Sequence, residues 1–259
     1  MSPVSISPVS MLPVSILPVS MSPVSLRSAV SGVPAEPAEP AEGIPVLGVP
    51  ASGMPASGYA LWPGAVSRAV CAGVVAAIEA AEACPGRVLR HGEERHDAAM
   101  RNCTEHALSH AAAAAVRQAL LAVAAAALPD GAAMTLDGPR FCRYRQGGHF
   151  RAHRDRSNDH ADIASVRGRR ISLVCLLNDG GAGDGLPAFD GGTLVLYPAS
   201  GPERFEPVNA PLRAGSIIAF PSDLLHEVRP VRVGTRYSAV AWLVDVCHAT
   251  TEPTHAEPF

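Results

Sequence analysis

The chain has 259 residues, of which 47% are hydrophobic and 17% are charged, so it has enough apolar material for one sizeable core. All 21 basic residues are arginine, which excludes Schiff-base lysines and the lysine of a P-loop, and any anion clamp must be built from arginine. A formal net charge of −3 gives no general attraction to nucleic acid or to an anionic membrane.

Proline repeats dominate the first part of the chain. Residues 2–26 repeat Pro-Val-Ser with a five-residue period, and a Pro-Ala-Glu repeat follows around Pro37 and Pro40. Proline at this density removes backbone donors and fixes φ, so residues 1–58 are predicted to be a disordered, low-complexity leader. A partner-binding role for the repeat is the alternative, although such a composition specifies little.

The folded region is predicted to start near Tyr59 and to begin with helices. Apolar residues near helical spacing predict a first helix over residues 65–84, which Pro85-Gly86 ends. A longer, alanine-rich helix is predicted over residues 96–128, with a break near Ser109.

After Gly138 the sequence changes to short runs rich in Val, Ile, Leu and aromatic residues, separated by Gly, Pro and Asp, which is typical of strands. Helices followed by many short strands indicate an α+β fold, and the number of strands suits a double-sheet jelly roll better than a parallel βαβ fold. The predicted strands lie near residues 140–146, 148–155, 170–178, 192–197, 216–220, 225–231 and 235–244, with turns at 147–148, 180–192 and 214–215.

The cysteines are scattered without a Cys-x-x-Cys pair, and several lie in apolar surroundings, so they are interpreted as reduced structural thiols. A cytoplasmic location is the corresponding expectation, because the N-terminus also lacks a basic residue before Arg27 and an uninterrupted apolar segment. No membrane span is expected, since the alanine-rich stretch carries Arg117 and Gln118. The six cysteines are Cys71, Cys84, Cys103, Cys142, Cys175 and Cys247.

Three residues form a candidate metal site. His153 and Asp155 are two positions apart on a predicted strand, so their side chains point to the same side and can bind one ion. His226 opens a later predicted strand, which a barrel can bring across to this pair. Two imidazoles and one carboxylate on one face of an octahedral ion leave three positions open, the arrangement typical of oxygen-activating non-haem iron(II).

A carboxylate clamp is predicted ten positions after His226. Arg236 and Ser238 share a strand face, so a guanidinium and a hydroxyl can meet one carboxylate. This fits the distal carboxylate of 2-oxoglutarate, whose other end would fill two of the open iron positions and leave the last for dioxygen. Each element is common by itself, and it is their order, facing and spacing together that support a single site.

Residues from about 139 to 244 resemble the catalytic domain of the prolyl 4-hydroxylase-like 2-oxoglutarate and iron(II)-dependent oxygenases. The resemblance implies a double-stranded β-helix, a cupin-like jelly roll with the N-terminal helices packed on its outer side. It also implies hydroxylation of a C–H bond coupled to conversion of 2-oxoglutarate into succinate and CO2. The motifs that carry it lie at residues 144–155, 170–178, 191–194, 215–221 and 226–238.

The resemblance further implies Fe(II), 2-oxoglutarate and O2 as cofactors, with ascorbate as a candidate reductant. Together with the pattern of helices and strands, it predicts an oxygenase domain over residues 59–247, with helices in 65–128, the jelly roll in 139–245 and a tail at 248–259.

Within that domain, the metal ligands would be His153, Asp155 and His226, and Arg236 would anchor 2-oxoglutarate together with Ser238. Leu176 stands where the family commonly has a tyrosine that binds the cosubstrate, so Tyr144 would carry that role alone.

Two further side chains are considered for supporting roles. His149 is a candidate to support the ligand face from an adjacent turn, and Trp242 either walls the pocket or packs in the core. The remaining histidines are interpreted as structural, loop or tail residues, and they are His91, His96, His106, His110, His160, His248 and His255.

Two other functions stay open. A nucleic-acid repair demethylase of the same chemistry could use the arginine-rich stretch between Arg140 and Arg170 to track phosphates, although an aromatic content of 5% argues against base stacking. A cupin-like protein that binds metal without catalysis would need no carboxylate clamp.

Prolyl residues of a protein or peptide, an amino acid and a small metabolite are all compatible substrates. The loop at 180–190 is long for the family, and the sequence does not predict an oligomeric state.

Overall fold

The computed structural model describes residues 58–128, 133–181, 188–201, 204–205, 207–210 and 213–245. The predicted leader, except for its last residue, and the predicted tail lie outside the described residues, so both stay predictions. The elements in chain order are β1 (Ala60–Trp62), α1 (Arg68–Ala80), β2 (Ala83–Pro85), β3 (Arg87–Arg90), β4 (Glu93–His96), β5 (Arg101–Asn102), β6 (Thr104–His106), α2 (His110–Ala127), β7 (Met134–Tyr144), β8 (His149–His153), α3 (Ala164–Arg167), β9 (Arg169–Leu176), β10 (Phe189–Gly191), β11 (Leu194–Leu196), β12 (Ala199–Gly201), β13 (Arg204–Phe205), β14 (Val208–Asn209), β15 (Ile217–Pro221), β16 (His226–Val228), β17 (Val231–Gly234) and β18 (Arg236–Asp245).

Two antiparallel sheets form the centre of the fold. The large sheet has the strand order β1-β15-β9-β18-β7-β6-β2, and the small sheet has the order β14-β11-β16-β8-β5. One apolar cluster contains residues of both sheets, including Val174 and Leu176 of the large sheet and Leu194 and Val228 of the small one. The sheets therefore pack face to face, which confirms the predicted jelly roll.

The helices cover the other face of the large sheet. Ser67 caps α1 by accepting a hydrogen bond from the Val70 amide at 3.3 Å, and Ser109 caps α2 in the same way through the Ala112 amide at 3.3 Å. The buried faces of both helices belong to a second apolar cluster with Leu173 of the large sheet. This arrangement agrees with the expectation that the N-terminal helices pack outside the barrel.

The alternation of strand β18 connects the two layers. Tyr237, Ala239, Ala241 and Leu243 belong to the cluster on the helix side. The residues between them point to the opposite face because successive side chains of a strand alternate. That face carries Arg236, Ser238, Val240 and Trp242.

The predicted helix over residues 96–128 is wrong in its first part. Residues 96–106 contain the end of β4 and all of β5 and β6, and α2 begins only at His110. Thr104 of β6 pairs with Arg143 of β7, and Arg101 of β5 pairs with Phe150 of β8. These pairings are distant in sequence, so the local pattern could not reveal them. The first helix is likewise shorter than 65–84, and strand β2 follows it.

Helix α2 is long and apolar enough, by length and composition alone, to cross a membrane. The sequence argument against a span from Arg117 and Gln118 was therefore too strict. Core helices of soluble proteins pass the same test, and here Val116, Leu120 and Val123 pack into the cluster on the helix side.

The described cysteines match the sequence interpretation. Five of them are free, and four of these are buried, whereas Cys84 is exposed. The sixth, Cys247, lies outside the described residues. The cytoplasmic location inferred from the cysteines stays a prediction.

Candidate active site

The three predicted metal ligands meet at the open end of the small sheet. His226 on β16 is the direct register partner of His153 on β8. Asp155 lies two residues beyond the end of β8, with its carboxylate 3.4 Å from Nε2 of His153 and 3.5 Å from Nε2 of His226. Candidate ligand atoms of all three residues lie within 4.8 Å of one another. This separation allows one ion to contact all three side chains.

Backbone carbonyls fix both imidazole rings. Nδ1 of His153 lies 2.8 Å from the carbonyl oxygen of Arg151, and Nδ1 of His226 lies 2.9 Å from that of Leu224. Since a carbonyl only accepts, each Nδ1 donates its proton, and Nε2 keeps a free lone pair. Both lone pairs are therefore available on the side where Asp155 lies.

A serine that the sequence interpretation missed fixes the carboxylate. Ser172 on β9 donates a 2.7 Å hydrogen bond to Oδ2 of Asp155, and its oxygen lies 3.0 Å from the hydroxyl of Ser222. Both serines are fully buried. A hydroxyl in the middle of a buried apolar strand requires a partner, so Ser172 was a signal available in the sequence.

Phe150 also went unnoticed, although its place is clear in the structure. Its ring stacks on His153 with centroids 3.5 Å apart and an interplanar angle of 16°. Phe220 meets the ring of His226 edge-on at 4.7 Å. Each imidazole therefore has an aromatic neighbour that limits its rotation as well as a carbonyl that sets its tautomer.

The protonation states of the buried ligands suit a metal ion. Burial by itself raises the pKa of Asp155, but His226, His153 and Ser172 outweigh it and hold the pKa of this carboxyl well below its usual range. Burial lowers the pKa of His226 to about 4, against the opposing effect of Asp155. Near neutral pH the site thus offers an ionised carboxylate and a neutral imidazole, the forms that bind metals.

Arg236 occupies a buried position at the start of β18. Its guanidinium donates a 2.9 Å hydrogen bond to Ser238 and lies 5.2 Å above the ring of Tyr144, its register partner on β7. Gly192 makes room for it, because a Cβ there would lie 3.1 Å from Cδ of Arg236. Tyr144 is also buried, which raises the pKa of its hydroxyl and keeps it protonated.

The charge of Arg236 has no counterion among the described residues. The side chain is 1% exposed, and its Nε has no hydrogen-bond partner within the described part of the chain. A buried charge without a partner is costly, so such a group is retained where a ligand supplies the partner. An anion, and in particular a carboxylate, fits this position.

A cavity of about 260 Å³ joins the two ends of the site. The three candidate metal ligands line it together with Arg236, Ser238 and Tyr144, and Val174, Leu194 and Val228 form apolar wall between them. The residues predicted to bind metal and cosubstrate therefore open into the same space. The donor set of two imidazoles and one carboxylate fits iron(II).

The two candidates for supporting roles differ in what they contact. The ring of His149 forms hydrogen bonds with the carbonyls of Gly147 and Ala99, so it ties the turn before β8 to the backbone at Ala99. Trp242 is buried and lines the cavity. His106 bonds to Thr104 and lies in the edge strand β6, in agreement with a structural role.

Comparisons with known proteins agree with the interpretation of the cluster as an iron(II) site. Residues 139–244 match the family model described as the 2OG-Fe(II) oxygenase superfamily. A PKHD-type hydroxylase of Shewanella oneidensis is 34% identical over 105 residues, which are 40% of this chain and 42% of that protein. A PKHD-type hydroxylase of Hyphomonas neptunium is 37% identical over 120 residues, 45% of this chain and 46% of that protein. The chain thus spans less than half the length of these relatives.

A solved structure shares the fold. It is described as a prolyl hydroxylase in complex with a hypoxia inducible factor oxygen degradation domain peptide fragment from Trichoplax adhaerens. The TM-score is 0.61 at 16% sequence identity, with 76% of this chain and 89% of that chain covered. Residues 139–244 are therefore similar in sequence to the 2OG-Fe(II) oxygenase superfamily, and the solved structure shows that the chain shares its fold with a prolyl hydroxylase.

Proposed function

We propose that this protein is a 2-oxoglutarate- and Fe(II)-dependent dioxygenase that hydroxylates a C–H bond of a protein, peptide or amino-acid substrate and releases succinate and CO2. One observation carries the proposal. The cluster of His153, Asp155 and His226 opens into one cavity with the guanidinium of Arg236, which has no counterion among the described residues. The relatives described as PKHD-type hydroxylases support the same class of reaction.

His153, Asp155 and His226 would hold the iron. The Nε2 atoms of the two histidines and the carboxylate would bind the ion together, and the cavity that they line would give ligands access to it. When bound, Fe(II) and 2-oxoglutarate supply the activation of O2 that C–H hydroxylation requires. The share of the protein is to fix the ligands, through the carbonyls behind the imidazoles and Ser172 behind the carboxylate.

Arg236 would bind the distal carboxylate of 2-oxoglutarate. The guanidinium uses one N–H for Ser238, so the hydroxyl proton of Ser238 is free to point to the same anion. Tyr144 would close the wall beside the cosubstrate, since it is neutral, buried and in the register position opposite Arg236. These groups orient the cosubstrate relative to the iron ligands.

The same features weigh against a protein that merely stores metal. Storage gives no reason to bury Arg236, for which the described part of the chain supplies no counterion, in the cavity that the candidate metal ligands share. Val174, Leu194 and Val228 give the space between the two ends an apolar wall. An apolar wall favours turnover, because it limits the access of water to reactive species.

The test is succinate release by the purified protein in the presence of Fe(II), ascorbate and 2-oxoglutarate, against a panel of peptides and amino acids. We expect release that requires Fe(II) and O2 and that rises when a substrate is added. A parallel titration measures binding of 2-oxoglutarate with Mn(II) in place of Fe(II). Absence of both Mn(II)-dependent binding and succinate release would rule out the proposed activity.

A further inference from the structure

The cavity carries more positive charge than a single dicarboxylate requires. Eight arginines and three carboxylates are among the described residues that line it. One of the carboxylates is the candidate metal ligand Asp155, and one of the arginines is Arg236, which is assigned to 2-oxoglutarate. A clear excess of cations is left over, so the cavity attracts a second anion.

Two of these arginines flank the indole of Trp242. The guanidinium carbon of Arg169 lies 3.6 Å from the ring centroid, and that of Arg140 lies 5.2 Å from it. Arg169 already has a carboxylate partner, because it lies 3.5 Å from Asp137. Among the described residues, Arg140 has no such ion pair, and its known contact is the aromatic ring.

Hydrogen-bond donors at the same place are also unused. The indole Nε1 of Trp242 and the Nε of Arg169 are buried, and neither has a hydrogen-bond partner in the described part of the chain. The two residues are 6% and 7% exposed. A buried donor without an acceptor costs free energy, so a ligand that brings an acceptor is favoured here.

This position is separate from the Arg236 position and is close to the metal ligands. Arg140 pairs with Val240, four residues along β18 from Arg236, which corresponds to about 13 Å between the backbone positions. Trp242 pairs with Ser172, the residue that donates to Asp155. The unused donors therefore lie on the metal side of the cavity.

We propose that the substrate carries a carboxylate, which Arg140 binds beside Trp242. This inference rests on the proposed function and names its substrate class as a molecule with a small carboxylate, either an acidic side chain within a peptide or the free carboxylate of an amino acid or peptide end. The ion pair with Arg140 holds the neighbouring C–H bond near the iron ligands, and the indole N–H is a second donor to the same anion. A cavity of about 260 Å³ suits one small side chain beside the cosubstrate.

The experiment is a set of calorimetric titrations on full-length protein loaded with Mn(II) and 2-oxoglutarate, which prevents turnover. The ligands are matched pairs that differ by one charge, namely blocked tripeptides with Asp or Asn and with Glu or Gln, and free proline with prolinamide. We expect at least one carboxylate member to bind about tenfold or more tightly than its amide, because a charge-assisted bond to a guanidinium is strong. The peptide and amino-acid pairs distinguish the two sources of the carboxylate.

The decisive variant is Arg140→Gln, which removes the charge and keeps a hydrogen-bonding side chain. The preference for the carboxylate should fall to within about twofold, while affinity for 2-oxoglutarate stays unchanged. Arg145→Gln is the matched control, since Arg145 is an exposed arginine of the same segment that does not line the cavity, and it should preserve the preference.

Several results would overturn the inference. They are equal affinities within every pair, no binding by any carboxylate member, a preference that survives in Arg140→Gln, and weaker 2-oxoglutarate binding in that variant. Tighter, Arg140-dependent binding of a single-stranded oligonucleotide would assign the site to phosphates instead. In each case Mn(II)-dependent binding of 2-oxoglutarate by the unmodified protein still supports the proposed function, so the two failures are distinguishable.

Discussion

The two faces of the large sheet differ in the groups that they bury. Towards the helices, Tyr237, Ala239, Ala241 and Leu243 of β18 pack into a closed apolar layer. Towards the cavity, Arg236 and Trp242 of the same strand keep buried donors that no described residue satisfies. One strand thus contributes stability through one face and retains costly groups on the other.

This difference between the faces indicates where a ligand site is expected. Burial of apolar surface stabilises the fold, whereas buried and unsatisfied polar groups destabilise it unless a ligand completes them. Within the cavity the same contrast recurs. The carboxylate of Asp155 accepts a hydrogen bond from Ser172 before any ligand arrives, whereas no described residue accepts a hydrogen bond from Nε of Arg236. The first arrangement suits a metal ion in a fixed geometry, and the second suits an anion.

The largest expected effect is on the cavity side. Asp155→Ala removes one of the three proposed metal ligands, so turnover should fall by at least about 10³-fold while the fold is retained. Succinate release and circular dichroism measure the two properties. Asp223→Ala, which removes an exposed carboxylate three positions before His226, should leave turnover unchanged. Normal activity in the Asp155 variant would contradict the metal site.

A core substitution on the helix side should show the reverse. Leu243→Ala should lower the free energy of unfolding by about 2–5 kcal/mol, since Leu243 is buried in the layer beneath the helices. Activity per folded molecule should stay close to that of the unmodified protein. Val240→Ala, three residues earlier in the strand, on the cavity face and only half-buried, should cost less stability in the same denaturant titration. Equal costs at both positions would remove the contrast between the faces.

Arg236→Met tests whether the unpaired charge is kept for a ligand. The 2-oxoglutarate concentration needed for half-maximal turnover should rise on the order of 100-fold, because the variant lacks the charge-assisted bonds. The melting temperature of the ligand-free protein should stay the same or increase, since a buried charge is removed. Arg232→Met, at an exposed arginine paired with Asp190, is the control and should change neither quantity greatly.

Ser172→Ala should have a smaller effect on the same site. Loss of the 2.7 Å hydrogen bond to Asp155 should weaken Fe(II) affinity by about 10–100-fold, in the range seen for groups that orient metal ligands. A metal titration with a competing chelator measures the change. Ser216 is another buried serine and lies directly before β15, and Ser216→Ala should not alter metal affinity. Unchanged affinity in Ser172→Ala would show that the carboxylate needs no support.

A decrease in pH should lower the free energy of unfolding of the metal-free protein, because His226 gains a proton more readily in the unfolded state. Its pKa is lowered to about 4 in the folded state from a usual value of 6.5, so the unfolded state binds more protons between these pH values. Stability therefore falls as the pH decreases from about 6.5 towards 4. Asp155, whose pKa is also lowered by folding, adds to this loss at lower pH. Denaturant titrations at several pH values should show a smaller slope in His226→Gln.

Much of the site was predictable because its chemistry is local. The spacing of His153 and Asp155, the strand that His226 opens and the arginine ten positions later are all visible in the sequence. The strands at 169–176 and 236–245 also lie close to their predicted positions. The part of the predicted helix over residues 96–109 was wrong. This region contains β5 and β6, which form by pairing with β8 and β7.

The sequence by itself determined which residue types are available: three candidate metal ligands, arginine in place of lysine as the anion-binding cation, and apolar runs that alternate as strands do. Tertiary structure decided which of them share a space. Only the fold places Ser172 behind Asp155, buries Arg236 where no described residue is its counterion, and sets Arg140 and Arg169 against Trp242. The reason is that hydrogen bonding and charge pairing depend on distances of a few ångströms between residues far apart in the chain, which no local pattern specifies.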